Sequence, residues 1–263
     1  MSDTARRKGL IILSMPRSGS SWLASLTNAT GTMGKADEWL DFAHLSTPKG
    51  PKGRPRLNQK TLQSASTENG NFTVKIFPRQ LLQVIDEYEF DFIRRAMREH
   101  ETRLILLKRE DRKAQAISLV RAIQTGQWHA AQPARKTPEY NFGAVAQAYF
   151  HINRGYDFWQ SYLALQGFSY LNFGYEDMAN APTPYLEAVS QHFGEPLPHN
   201  RSPLEIQSDA LSKEWRERFD DDLKTYGIPA IAYQQKQPEK GLGNALKVLS
   251  GKPARISRFG YSS

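Results

Sequence analysis

The chain of 263 residues contains no cysteine. Disulfides, a thiol nucleophile and zinc-ribbon chemistry are thereby excluded. It also lacks a Gly-Lys-Ser/Thr triplet, so there is no Walker A loop, in which lysine reaches the terminal phosphates and a hydroxyl takes magnesium. No apolar run reaches the about 18 residues of a membrane span, and the first residues, MSDTARRKG, are polar, so a soluble cytoplasmic protein with no transmembrane segment is expected. Acidic side chains are in deficit: the net charge is +8 and the pI about 9.6. That balance favours a polyanionic partner, such as a phosphorylated nucleotide, nucleic acid, an acidic glycan or a membrane surface, without choosing among them.

What is present is enough for one large domain or two small ones, with 39% hydrophobic and 11% aromatic residues to build a core. Strand and helix patterns alternate. Gly9–Met15 reads as a buried strand and Ser20–Thr27 as the helix after it. Phe72–Phe77 and Arg103–Leu107 are strands rich in β-branched and aliphatic residues, and Phe168–Phe173 is another. Helical spacing marks Glu89–His100, Asp111–Gln124, Tyr140–Leu165, Thr183–Phe193 and Leu211–Tyr226. Such alternation predicts an α/β fold built on a mainly parallel sheet. Residues 1–233 are expected to form a single domain. Within it Ser46–Lys60, rich in Pro, Gly and Lys/Arg, reads as a mobile basic loop. Gln234–Ser263 holds six basic residues against one acidic residue and reads as a cofactor lid or a solvated tail.

The stretch IILSMPRSGSSWLASL, Ile11–Leu26, runs from strand to helix through Arg17, Ser18, Gly19, Ser20 and Ser21. The first N–H groups of a helix have no intrahelical acceptor and the dipole favours negative charge there, so this turn is an anion cradle. Gly19 lets the backbone approach, the serine hydroxyls add donors, and Arg17 adds a fork suited to phosphate oxygens. Short Ser/Gly turns often bind nothing, so this loop alone decides little. A second segment, Leu104–Trp128, is more specific. A strand ends at Lys108–Arg109, Asp111 is placed to cap the next helix, and Arg109 lies where open α/β sheets bind ligands.

Taken together, Ser14–Ser21 (SMPRSGSS), Ala29–Trp39 (ATGTMGKADEW), Arg109–Trp128 (REDRKAQAISLVRAIQTGQW) and Ser212–Phe219 (SKEWRERF) resemble the bacterial Stf0-type sulfotransferases, a group that includes trehalose 2-sulfotransferase. The group's patterns are an S-x-R-S/T-G-S-S/T-like loop, which here has two residues between Ser14 and Arg17, A-T-G-x-x-G-x-x-x-E-F/W, R-x-D-x3-Q-A-x-S-x2-R-A-x-Q-T-x2-W and S-x-E-W-x-x-R-F/Y.

The resemblance implies a P-loop-like three-layer sandwich and transfer of a sulfuryl group from PAPS, 3′-phosphoadenylyl sulfate, with no metal required. Ser18–Trp22 and Arg17 would then hold the 5′-phosphosulfate, Arg109 and Ser118 the 3′-phosphate, and Tyr175 would lie near the adenine. Arg17 would stabilise the leaving phosphate as a fixed cation, since arginine does not give up its proton. Glu38 would be the general base, with Asp41 and His44 as fallbacks; it could instead cap a helix or pair with Lys35. Lys75 could touch donor or acceptor, or snorkel to solvent. Trp39, His44, Arg121 and Trp128 are candidate acceptor-pocket residues, although Trp128 could be core and Arg121 could pair with Asp111 or Glu110. Trp215 reads as packing. The acceptor would be a small-molecule, carbohydrate or lipid hydroxyl, with no nucleic-acid partner. The resembling group includes dimers, which leaves a homodimer open. A P-loop kinase and a non-catalytic polyanion-binding protein are the competing readings.

Overall fold

A computed structural model describes residues 7–41, 48–128, 132–196 and 210–233. His44 and the tail 234–263 lie outside the described residues. Four strands form one all-parallel sheet in the order β2-β1-β3-β4. They are β1 (Lys8–Leu13), β2 (Phe72–Ile76), β3 (Glu101–Lys108) and β4 (Tyr170–Gly174). Helices α1 (Ser20–Asn28), α2 (Arg54–Ala65), α3 (Pro78–Tyr88), α4 (Phe92–Glu99), α5 (Arg112–Thr125), α6 (Phe142–Gln166), α7 (Tyr175–Asn180), α8 (Thr183–Phe193) and α9 (Ala210–Tyr226) fill the connections. This is the expected α/β fold with a parallel sheet flanked by helices.

The chain divides into two compact units, Met1–Gln115 with Ile152–Gln207, and Ala116–His151 with Ser208–Ser263. The first holds the whole sheet. Leu10 and Ile12 of β1 and Ile105 and Leu107 of β3 pack with Leu23 and Leu26 of α1, Met178 of α7, and Tyr185, Leu186, Val189 and Phe193 of α8. The alternate residues Ile11, Leu13, Leu104 and Leu106 are equally inaccessible, so both faces of the sheet are covered, as parallel sheets require. Ile152, Tyr156, Trp159 and Leu163 make a buried stripe on α6, and the Trp159 indole N–H donates to Ser14 O at 3.0 Å, anchoring the stripe at the end of β1. In the second unit Trp215 and Phe219 of α9 are buried against Tyr140 and Phe142, with ring centroids 5.7 and 5.6 Å apart. Trp215 is thus a packing residue, as its sequence context suggested.

Three local readings are revised. The Pro-Gly-Lys/Arg stretch expected to be a loop at 46–60 becomes helical from Arg54, with proline in the first turn, and α2 buries Leu57, Thr61, Leu62 and Ala65. Its apolar positions begin only at Leu57, so the basic first turn hid them. The helix expected at Glu89–His100 starts at Phe92, because Glu89 takes a left-handed conformation (φ 48°) that closes α3, and Asp91 Oδ1 caps α4 by accepting from Arg94 N at 2.9 Å. Finally, α3 itself was not anticipated, although Pro78 at its start and buried Leu81, Val84 and Tyr88 are regular helix signals.

One buried group makes the first unit acid-sensitive. His192 on α8 is 7% exposed, and its Nε2–H donates to Gly9 O at 2.8 Å. Burial holds its pKa below the ordinary 6.5, with Arg103 and Lys8 pushing the same way and the Gly9 bond and Glu101 opposing. The unfolded chain therefore binds the proton more readily, and stability present above the ordinary value is lost as pH falls through it. Urea midpoints measured from about pH 8 to about pH 5.5 should fall more steeply for the wild type than for His192→Gln. Parallel curves would show that His192 does not carry this effect.

Candidate active site

In the order 2-1-3-4, the chain leaves β1 in one direction and returns across it to β3. The switch point of such a sheet lies outside the carboxyl ends of β1 and β3, where doubly wound folds bind ligands. Both segments singled out in the sequence start there: the turn after Leu13 and the turn after Lys108. Parallel pairing of Leu13 with Leu106 and of Lys108 with Gly174 brings the ends of β1, β3 and β4 side by side.

The first turn is tightly built. Arg17 and Gly19 both have positive φ, 63° and 85°, and Gly19 is the N-cap of α1 without a side-chain cap bond. Its first-turn N–H groups are therefore available to an anion. A Cβ at Gly19 would lie 2.2 Å from Tyr175 Cδ2, so the tyrosine ring rests directly on the glycine. Ser18 is fully buried and Ser20 nearly so. The hydroxyl oxygens of Ser14 and Ser18 have no hydrogen-bond partner among the described residues. Gln115, also fully buried, ties the turn to α5 by donating from Nε2 to Pro16 O at 2.8 Å. Arg109 Nη1 donates to Arg17 O at 3.4 Å, and its guanidinium lies 5.1 Å from the centre of the Tyr175 ring. Arg17, Arg109, Gly19 and Tyr175 thus form one cluster. Glu176 completes it: its carboxylate accepts from the N–H groups of Glu110 and Asp111 at 3.0 and 3.1 Å and lies 4.0 Å from Arg109 Nε. Asp111 caps α5 as expected, its Oδ1 accepting from Ala114 N at 3.0 Å.

A second cluster forms over the first turn of α1. After α1 the chain crosses β2 at Gly34, and Asp37 then pairs with Val74 as a one-residue parallel bridge, Lys75 N donating to Asp37 O at 3.0 Å. Asn28 clamps the approach, donating to Ala36 O at 3.1 Å and accepting from Ala36 N at 2.6 Å. This brings Glu38 to Lys75. The Lys75 ammonium lies 3.0 Å from Glu38 Oε1 and donates to Ser21 Oγ at 3.3 Å. Glu38 Oε2 accepts from Gln80 Nε2 at 2.8 Å. Lys75 is 3% exposed and does not snorkel out; its charge is held between a carboxylate and the anion turn. Glu38 pairs with Lys75 rather than Lys35, and the described residues just after it, 39–41, are not helical. Trp39 donates from its indole to Lys35 O at 2.6 Å, and Asp41 lies 3.9 Å from Arg79.

The remaining predicted residues belong to the second unit. Ser118 is partly exposed on α5. Arg121 hydrogen-bonds the Ser212 hydroxyl, which joins two of the motif segments. Trp128 is 42% exposed, so it is not core. Among the described residues no group of three or more His, Asp or Glu side chains is arranged to hold a metal, and no helix is long and apolar enough to cross a membrane.

The family model of the Stf0 sulphotransferases matches residues 79–222, more than half of the chain. The chain belongs to that family. The match contains Arg109–Trp128 and Ser212–Phe219 and stops short of the turn at Arg17 and of Glu38. Two relatives also match the chain, the first over more of it. The trehalose 2-sulfotransferase of Mycobacterium tuberculosis is 24% identical over 259 residues, covering 83% of this chain and 97% of that protein. The trehalose 2-sulfotransferase of Mycolicibacterium smegmatis is 29% identical over 129 residues, 48% of each chain. Among solved structures, a sulfotransferase domain from the curacin biosynthetic pathway aligns over 95% of this chain and 100% of its own at 16% identity, with a TM-score of 0.43, too low to define the fold. This Stf0 family member is a sulfotransferase, and the kinase and polyanion-binding readings fall away.

Three residues of the two clusters were not singled out from the sequence. Gln115 stands inside the Q-A-x-S pattern, Glu176 inside YEDM, and Gln80 three residues after Phe77 at the start of α3. Only Gln80 carried a local signal, a glutamine at the third helical position that can reach back to the cap.

Proposed function

We propose that this sulfotransferase moves the sulfuryl group of PAPS to a hydroxyl of a carbohydrate, lipid or small metabolite and releases adenosine 3′,5′-bisphosphate. The observation that carries the proposal is Lys75 bridging Ser21, in the first turn of α1, and Glu38. That bridge sets a carboxylate beside an anion cradle, as a reaction between a hydroxyl and an anionic donor requires. The cradle also suits the donor because the buried Ser14 and Ser18 hydroxyls have no protein acceptor and the α1 N-terminus has no side-chain cap. PAPS supplies an activated sulfuryl group on a phosphate leaving group. Glu38 takes the proton of the acceptor hydroxyl as its oxygen bonds to sulfur. Arg17 and Lys75 stabilise the negative charge that builds as the sulfur–oxygen bond to the phosphate breaks. Arg109 and Ser118 receive the 3′-phosphate, the Ser18–Trp22 backbone the 5′-phosphosulfate, and Tyr175 borders the adenine. Trp39, Lys75, Arg121 and Trp128 are proposed for the acceptor. Both relatives are named for transfer to trehalose, which makes carbohydrates the first acceptor class to test. A cytoplasmic location and a homodimer belong to the same proposal.

Adenosine 3′,5′-bisphosphate at about 100 times its Kd should stabilise the fold by about 2.7 kcal/mol, a rise in Tm of roughly 5–10 °C for a chain of this size. Labelled PAPS should then transfer label to at least one member of a panel of sugars, lipids and small alcohols. No Tm rise with the bisphosphate, alongside a rise with ATP and magnesium, would overturn the donor assignment.

A further inference from the structure

We infer that Gln80 is a positioning residue that fixes the orientation and the charge state of the Glu38 carboxylate. The inference deepens, and rests on, the reading of Glu38 as the base. Gln80 is 1% exposed, and a buried amide is costly unless both its ends are bonded. Both are. Its Oε1 accepts from Phe77 N at 2.9 Å, and its Nε2 donates to Glu38 Oε2 at 2.8 Å.

The first contact decides the second. The N–H groups at the start of a helix lack intrahelical acceptors, and Gln80, at the third position of α3, satisfies the one at Phe77. This is half of a capping box; the reciprocal half is absent because the Phe77 side chain has no acceptor. A backbone N–H can only donate, so the amide oxygen is committed to Phe77 and the NH2 group must face Glu38. That end can only donate in turn. The partner it favours is the ionised carboxylate.

Lys75 supplies the other donor, 3.0 Å from Oε1. One donor from β2 and one from α3 thus grip the two oxygens, which sets the rotamer and leaves the outward lone pairs for an incoming hydroxyl. The Glu38 side chain keeps 28% exposure. On its own segment Asp37 and Asp41 are neighbours in sequence, and Arg79 on α3 lies 3.9 Å from Asp41.

The substitution that separates positioning from capping is Gln80→Glu. It retains an oxygen for Phe77 N–H but sets a second carboxylate against Glu38 Oε2. Two carboxylates at that separation share a proton, and the pair titrates upward. In protein labelled with carboxyl-13C glutamate, with the Glu38 resonance assigned by its loss in Glu38→Gln, the titration should rise by about one unit or more. The acid limb of the kcat/KM profile should move with it. Gln80→Met, close in volume, removes the donor; it should also raise the Glu38 titration and lower kcat about tenfold with the KM for PAPS unchanged. If the Glu38 titration stays put in both variants, Gln80 is a helix cap and the inference is overturned. If the titration moves while the acid limb does not, the hold of Gln80 on Glu38 stands, and it is the base assignment that falls.

Discussion

Glu38→Gln should bind adenosine 3′,5′-bisphosphate with the wild-type Tm shift and turn over about 10²–10⁴ times more slowly, the range contributed by a positioned acid or base. In the proposed site the donor would lie on the turn after β1, whose backbone does not involve Glu38, so donor binding should survive. Proton removal from the acceptor should not. The variant also tests the local bonding. The wild-type carboxylate accepts from Lys75 on one oxygen and from Gln80 on the other. An amide has only one oxygen for these two donors, and its NH2 group must face one of them. The cost should be about 1–3 kcal/mol, seen as a lower Tm without ligand. Glu38→Asp keeps the charge but not the reach, and should recover part of the stability and less of the rate. A Glu38→Gln enzyme with near-wild-type kcat would remove Glu38 from the chemistry and return attention to Asp41 and His44.

The sheet was legible because β1, β2 and most of β3 are short buried apolar runs, while β4 is a half-exposed edge strand marked by Tyr and Phe, and each of the four lies within two residues of its expected ends. The anion turn was legible because its requirements are local: glycine at positive φ, a helix start, an arginine. Glu38 was placed by resemblance alone. Its position depends on the chain crossing β2 at Gly34 and forming a single bridge at Asp37, and a one-residue bridge leaves no periodicity to read. In sequence Lys75 is only a lysine that interrupts an apolar strand; its burial is explained by Ser21 and Glu38 on either side of its ammonium. Gln80 belongs to a helix that was not anticipated, and its partner lies 42 residues away. Long-range polar contacts of this kind are selected by geometry after folding, and sequence spacing does not encode them.

Gly34 is where that geometry is most exposed to a single methyl group. Its φ is +86°, and a Cβ there would lie 2.3 Å from Thr73 N and 2.5 Å from Phe72 C. Both are backbone atoms of β2, fixed by pairing with β1, so no rotamer change relieves the overlap. Gly31, three residues earlier, has φ +70° and open space around its Cβ position. The two glycines share backbone strain and differ in the clash. Gly31→Ala should therefore cost about 1 kcal/mol, the left-handed penalty of an L-residue, and leave activity near normal. Gly34→Ala should cost about 3 kcal/mol, a Tm drop of roughly 6–12 °C. Because the segment must lift from β2 to admit the methyl, the Asp37 bridge lengthens and Glu38 moves away from Lys75. Turnover should fall about as far as in Glu38→Gln, since a displacement of about 1 Å can cost a hundredfold, while the bisphosphate still raises the Tm of the folded fraction. Equal stability losses in the two alanine variants would show that the close approach at Gly34 is not what holds Glu38 over the anion turn.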